Sequence, residues 1–346
     1  MLDAGIAARP VALSRARAIE RSATPAATSA AAYPAADSAP DAGPNAGPNA
    51  MGAALGLLGD EWSLLIIRHA FIGARRFVDF KQRLAISDAV LSARLAALVD
   101  GGVLRRVPSP VAGRHEYALT RSGLDLWQLL LAIWAWEQEH VEGQAGRLPH
   151  MLHATCGQRF RPLLRCSACS TPASVDDVDA TFGPSGTFAR SLPAGSNRRR
   201  PSGARSATAE GPDMFPETMA IIGSRWSSAT VGAAFMGATR FGEFERLLGA
   251  PPTVVSDRLR SFVDLGVLEH VRDPEGPDRS SYRLSAKGRA LFGVVATLLS
   301  WGERWLRADD GPAVVAVHRA CGHGFRPELA CSACRQTLQR DDVTID

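Results

Sequence analysis

No stretch of this sequence approaches the ~20 uninterrupted apolar residues that a membrane-crossing helix requires. Its N-terminus lacks the charged start and apolar run of a secretory signal, so a cytoplasmic location with no membrane partner is the expectation. A strong charge of one sign is also missing. The net charge is +4 over 346 residues, from 39 basic and 35 acidic side chains. Between Met51 and Gly143 the balance is ten basic against ten acidic, and between Asp213 and Arg307 it is twelve against eleven. The surplus lies in connecting segments such as Arg198-Arg199-Arg200, so bulk charge does not establish nucleic-acid binding and local placement must. There is no Gly-rich phosphate loop and no nucleophile–base spacing, so the expectation is that the protein is not an enzyme. Cysteine is sparse, with six residues confined to Cys156–Cys169 and Cys321–Cys334. Without a secretion signal, such clusters more often hold metal than form disulfides.

What is present is one pattern written twice. Gly59, Trp62, Gly73, Arg76, Phe77, Phe80, Ser92, Arg94 and Leu95 recur 164 positions later as Gly223, Trp226, Gly237, Arg240, Phe241, Phe244, Ser256, Arg258 and Leu259. At an offset of 165, Tyr117, Leu119, Gly123 and Trp136 match Tyr282, Leu284, Gly288 and Trp301, and the match runs on through the cysteine clusters. The chain therefore divides into a disordered Ala/Pro-rich segment (1–50), a first unit (51–143) with an extension (144–179), a flexible linker (180–212), and a second unit (213–308) with its extension (309–346). The 1–50 and 180–212 segments are too poor in apolar residues to offset the entropy of ordering them.

Within the first unit, Trp62, Leu65, Ile66 and Phe71 fall at helical spacing and Gly73 ends that helix. Arg75-Arg76-Phe77 opens a second helix through Leu84, and Ser87 is a natural N-cap for a third that ends at Gly101-Gly102. Leu91, Leu95, Leu98 and Val99 share one face of that third helix. Two strand-like runs follow, Val103 to Val107 and His115 to Thr120, with a turn around Pro108, Pro110 and Gly113. A last helix runs from Gly123 to about His140. The fold class is mainly α with small β hairpins (α+β): two winged helix-turn-helix domains, each followed by a small zinc ribbon. In that plan the third helix enters a major groove and the hairpin lies along the backbone.

The run GDEWSLLIIRHAFIGARRFVDFKQRLAISDAVLSARLAALVDGGVLRR with EYALTRSG downstream resembles the HxlR-type family of bacterial winged-helix regulators. GSRWSSATVGAAFMGATRFGEFERLLGAPPTVVSDRLRSFVDLGVLEH with SYRLSAKG is similar but more divergent. The resemblance implies a DNA-binding transcriptional regulator whose partner is double-stranded DNA and whose terminal helices pair. With two units in one chain, Trp134, Trp136, Trp301 and Trp305 would build an intramolecular pseudo-dimer, or else a homodimer. Some members sense oxidants through a cysteine near the first helix, and neither unit has one there. The alternative is a zinc-containing protein-interaction scaffold with degenerate winged helices that does not read DNA sequence.

Helical-wheel geometry turns Ala89, Ala93 and Ala97 away from the leucine stripe, flanked by Ser92 and Arg94. Alanines can touch thymine methyls but offer base edges no hydrogen bonds. The second unit places Thr253 and Asp257 outward, beside Ser256 and Arg258. Arg76 and Arg240 open their second helices, and Arg114, His115 and Arg279 sit at the wing tips, all suited to phosphates. For each arginine the competing reading is a tie to a local carboxylate such as Asp79 or Glu243.

After each unit comes His-x2-Cys-x9-Cys-x2-Cys: His153, Cys156, Cys166 and Cys169, then His318, Cys321, Cys331 and Cys334. Each set can close a tetrahedron around Zn2+, so two structural zinc ions are expected, one per copy. A redox dithiol or an iron site would use the same residues. His323 has no counterpart at Gln158, which makes His318 the better ligand.

Overall fold

A computed structural model describes residues 11–12, 47–109, 113–192, 214–272 and 280–345. A two-residue strand, β1 (Val11–Ala12), precedes the first repeat. That repeat opens with α1 (Ala50–Leu58) and α2 (Glu61–Phe71); the Asp60 carboxylate caps α2 by accepting the Trp62 and Ser63 N–H groups. The helix-turn-helix follows as α3 (Phe77–Arg83) and α4 (Asp88–Asp100), with the Ser87 hydroxyl accepting the Val90 N–H. Leu91, Leu95 and Leu98 of α4 join Phe80 and Ile66 in the buried core.

The chain leaves α4 through Gly102 at φ +70°, with the Val103 N–H bonded back to Leu98 O and the Gly102 N–H to Val99 O. This left-handed position suits glycine. It turns the backbone into the hairpin of β2 (Leu104–Pro108) and β3 (His115–Leu119). The expected single last helix is broken at Leu126 into α5 (Arg121–Asp125) and α6 (Trp127–His140), where the Leu126 N–H takes the tighter bond to Gly123 O. The extension supplies β4 (Met151–His153), β5 (Gln158–Arg159), β6 (Pro162–Cys166) and β7 (Val178–Phe182).

The second repeat restates this as α7 (Pro216–Ile222), α8 (Arg225–Phe235), α9 (Phe241–Leu248) and α10 (Pro252–Asp264). Then come β8 (Leu268–Val271), β9 (Ser281–Leu284), α11 (Ala286–Ala290) and α12 (Phe292–Trp305). Its extension contributes β10 (Val314–His318), β11 (Pro327–Cys331) and β12 (Val343–Ile345). Among the described residues no single helix is long and apolar enough to cross a membrane.

The two repeats interlock. α6 packs on α12, while α1 lies on α12 and α7 on α6, so each repeat lends its first helix to the other. Gly302 on α12 permits one of these contacts, because a Cβ there would stand 2.8 Å from Ala50 O. Trp136 Nε1–H donates to Lys287 O at 3.1 Å, and its counterpart Trp301 donates to Ser122 O at 2.8 Å. Lys287 is itself the counterpart of Ser122, so the two bonds are images of one another, as in an isologous interface. The extensions exchange strands in the same manner: β7 pairs with β10, and β12 pairs with β4.

Part of the 180–212 segment is not linker. β7 runs to Phe182, the Asn49 amide donates to Ser185 O, Arg190 pairs with Asp310, and Leu192 is buried. Phe182, Phe188 and Leu192 supply the apolar anchors that its Gly, Pro and Ser content obscured. Asn49 and Ala50, assigned to the leading segment, are likewise buried at the start of α1. Arg198 to Arg200 lie outside the described residues.

Candidate nucleic-acid interface and metal centres

On α4 the buried leucine stripe leaves Ala89, Ser92, Ala93 and Ala97 exposed on the opposite side, with Val90 beside them. Arg94 is not part of that face. Its guanidinium turns back to the Asp60 carboxylate, Nε to Oδ1 at 3.4 Å, and is only 28% exposed. Its counterpart Arg258 likewise turns inward, with Nη1 3.4 Å from Ser227 Oγ. Both arginines tie the third helix to the start of the helix behind it. On α10, Thr253 and Asp257 are exposed and Ser256 is half-buried. Asp257 is engaged by Arg260 at 3.3 Å.

Arg76 is paired to Asp79 at 2.7 Å but stays 62% exposed, so the local tie does not remove it from solvent. The Arg76 hydrogen bond holds the Asp79 carboxyl down at about 2. Arg240 is exposed, and its backbone N–H donates to Glu243 at 2.9 Å. Arg114 and His115 are exposed on the first hairpin, where His115 Nε2 lies 3.1 Å from the Tyr117 hydroxyl. Arg279 lies outside the described residues.

Two cations of this surface escaped the sequence reading. Arg105 and Arg106 are both exposed on β2. Glu269 and His270 stand at the same places on β8. The units thus differ in sign along the wing, which adjacent arginines at the start of a hairpin strand could have signalled.

The eight metal-ligand candidates gather in two groups, but not the two that local spacing suggests. His153 and Cys156 meet Cys331 and Cys334, while Cys166 and Cys169 meet His318 and Cys321. Each group thus takes a His-x2-Cys knuckle from one repeat and a Cys-x2-Cys knuckle from the other. The cause is the pairing of β6 with β11, which sets Cys166 opposite Pro327 and Cys331 opposite Pro162. This pairing sets each Cys-x2-Cys turn beside the other repeat's histidine. His323 belongs to neither group.

The donor geometry suits a tetrahedral ion. His153 Nδ1 lies 3.3 Å from both Cys156 Sγ and Cys334 Sγ, and Cys156 Sγ lies 3.9 Å from Cys331 Sγ. His318 Nδ1 lies 3.4 Å from both Cys321 Sγ and Cys169 Sγ. Tetrahedral bond lengths of about 2.3 Å to sulfur and about 2.0 Å to nitrogen require edges of roughly 3.5 Å for N···S and 3.8 Å for S···S. All six cysteines are free thiols. Hydrogen bonds from the Thr171 side chain and backbone hold the Cys169 thiol down to about 6 and the Gln336 N–H lowers Cys334, while burial pushes the Cys331 and Cys321 thiols up. Thiolate is the form that binds metal. Each group could hold a metal ion.

Comparison with known proteins agrees with the architecture. The model of a family described as HxlR-like helix-turn-helix matches residues 57–145 and 221–310. Over 124 residues the chain is 36% identical to an uncharacterized HTH-type transcriptional regulator of Mycobacterium tuberculosis, spanning 36% of this chain and 78% of that protein. Over 93 residues it is 31% identical to the uncharacterized HTH-type transcriptional regulator YvaP of Bacillus subtilis, spanning 27% of this chain and 86% of that protein.

Proposed function

The chain belongs to the HxlR-like helix-turn-helix family, and from that premise we propose that its two winged helices engage duplex DNA together, as a pseudo-dimer built within one chain. It is a DNA-binding transcriptional regulator; the relatives' names favour that over a scaffold that ignores DNA. The observation that carries the pseudo-dimer is the reciprocal pair of tryptophan bonds, Trp136 to Lys287 and Trp301 to Ser122, which holds the units in a fixed relation. α4 and α10 then offer their exposed faces to two half-sites. Ala89, Ser92 and Ala93 would meet thymine methyls and nearby edges, and Thr253, Ser256 and Asp257 would take the equivalent places in the second unit. Arg76, Arg105, Arg106, Arg114, His115 and Arg240 would meet phosphates, with the wing contribution greater in the first unit.

The role is regulatory rather than enzymatic, at the chromosome in a bacterial cytoplasm. Two zinc ions suit the two groups, since three thiolates and one imidazole fill a tetrahedron and leave no position for a substrate. Each ion would join the two repeats and brace the pseudo-dimer. Selection of bound duplexes from a random pool with the intact chain tests the reading. It should return two half-sites at a fixed separation; a single half-site, or a spacing that drifts freely, would overturn it.

A further inference from the structure

A partly open cavity lies beside the last helix of the second repeat, at positions where the first repeat carries bulkier side chains. A space of about 1000 Å³ lies among α1, α8, α12, β7 and β10. Five phenylalanines line it: Phe182, Phe188, Phe235, Phe292 and Phe325. Phe292 bridges Phe235 at 6.1 Å and Phe325 at 5.9 Å, while Phe182 and Phe188 meet edge to face at 5.2 Å. Ser228, Gly232 and Ala296 are among the small residues that line the space beside these rings.

The duplicated half is an internal control. Where the cavity has Gly232, Ser228, Ala296 and Leu299, the first repeat has Arg68, Leu64, Leu131 and Trp134. Trp134 is buried, lies edge to face with Phe215, donates from Nε1 to Pro149 O at 3.0 Å and sits under the Arg68 guanidinium. In the first repeat, bulk thus closes the space between the last helix and the extension. In the second repeat that bulk is gone, although a Cβ on Gly232 would meet nothing closer than Phe188, 3.7 Å away.

Polar side chains also line the space, Ser228, Ser300, Glu303, Arg304 and Arg307 among them. Glu303 lines the cavity, and its Oε1 accepts the Ala313 N–H at 2.7 Å. The Val314 N–H also acts on the carboxylate, whereas Oε2 is buried and has no hydrogen-bond partner among the described residues. Pockets of this size, lined mainly by apolar and aromatic side chains with a few polar groups, are the usual form of small-molecule sites.

We propose that this cavity is a binding site for a planar aromatic molecule, its rings among the phenylalanines. A ligand there would touch α8, against which the second recognition helix α10 is packed.

N-phenyl-1-naphthylamine, which fluoresces in apolar surroundings, is a suitable probe for titrating the full-length protein. Saturable one-to-one binding is expected, and Gly232→Leu and Ala296→Leu, made separately, should each weaken it at least tenfold while keeping the parent circular dichroism. Binding that never saturates, or that both folded variants retain in full, overturns the proposal. A test on the unaltered protein covers the case in which neither variant folds. There 1-methylnaphthalene should displace the probe at least tenfold more effectively than decalin, a saturated non-planar molecule of similar size, and equal displacement overturns the assignment of an aromatic ligand.

Discussion

Leu164 stands directly opposite Leu329 in the antiparallel pairing of β6 with β11, and each is the other's counterpart in the duplicated sequence. The pairing is therefore centred on the pseudo-twofold axis. Everything exchanged between the repeats, including β7 with β10 and β12 with β4, follows from the chain crossing at that point.

The exchanged ligand groups make a stoichiometric prediction. Cys156→Ser with Cys331→Ser removes two donors from one group and should leave about one zinc per chain. Cys156→Ser with Cys166→Ser damages both groups and should leave close to none. Ligand sets confined to single repeats would reverse these results, and metal analysis by mass spectrometry reads the difference.

The wing asymmetry predicts unequal effects on DNA affinity. Arg105→Ala with Arg106→Ala should weaken binding to all sequences alike and reduce the salt slope by about 2, one for each lost phosphate contact. Glu269→Ala in the second wing should instead leave affinity unchanged or raise it slightly, since an acidic side chain is removed from the phosphates. Anisotropy titrations at several salt concentrations would show both effects, and an unchanged slope in the double variant would remove the first wing from the interface.

Glu137 links stability to pH. It is fully buried, accepts the Thr218 N–H at 2.7 Å, and is pushed from 4.5 up to about 7 by burial. The folded protein therefore keeps a proton that the unfolded chain releases, so stability should fall as pH rises from 4.5 to 7 and level off above it. The fall contributed by this group is at most about 3 kcal/mol. Glu137→Gln should flatten the dependence of melting temperature on pH over that window; an identical slope in the variant would assign the effect elsewhere.

Gly302 on α12 and Gly232 on α8 should respond oppositely to alanine. At Gly302 the new methyl would lie 2.8 Å from Ala50 O, forcing α1 away from α12. Gly302→Ala should cost about 1–3 kcal/mol. Gly232→Ala meets only a 3.7 Å contact and should be neutral or stabilise by up to about 1 kcal/mol through helix propensity. Urea denaturation of both variants checks the contrast.

Much of the fold was readable from residue order alone because the signals are local. Ser87 as a cap, Gly102 as a helix stop and the Leu91, Leu95, Leu98 stripe each act within a few residues, and duplication repeats them. The helix α1 was harder to see, since its Ala, Gly and Leu residues show no polar face and its burial depends on α12 of the other repeat. The exposure of Ala89, Ala93 and Ala97 followed from periodicity, whereas the inward turn of Arg94 depended on Asp60, 34 positions away.

Residue order determined which eight side chains could bind metal and that two recognition helices exist. Tertiary structure decided which metal-ligand candidates stand together, which repeat covers which helix, and which repeat leaves a cavity beside its last helix. Identical spacing in two copies makes cis and exchanged partnerships indistinguishable along the chain; only the antiparallel crossing of β6 over β11 selects between them, because it brings each pair of cysteines to the other repeat's histidine.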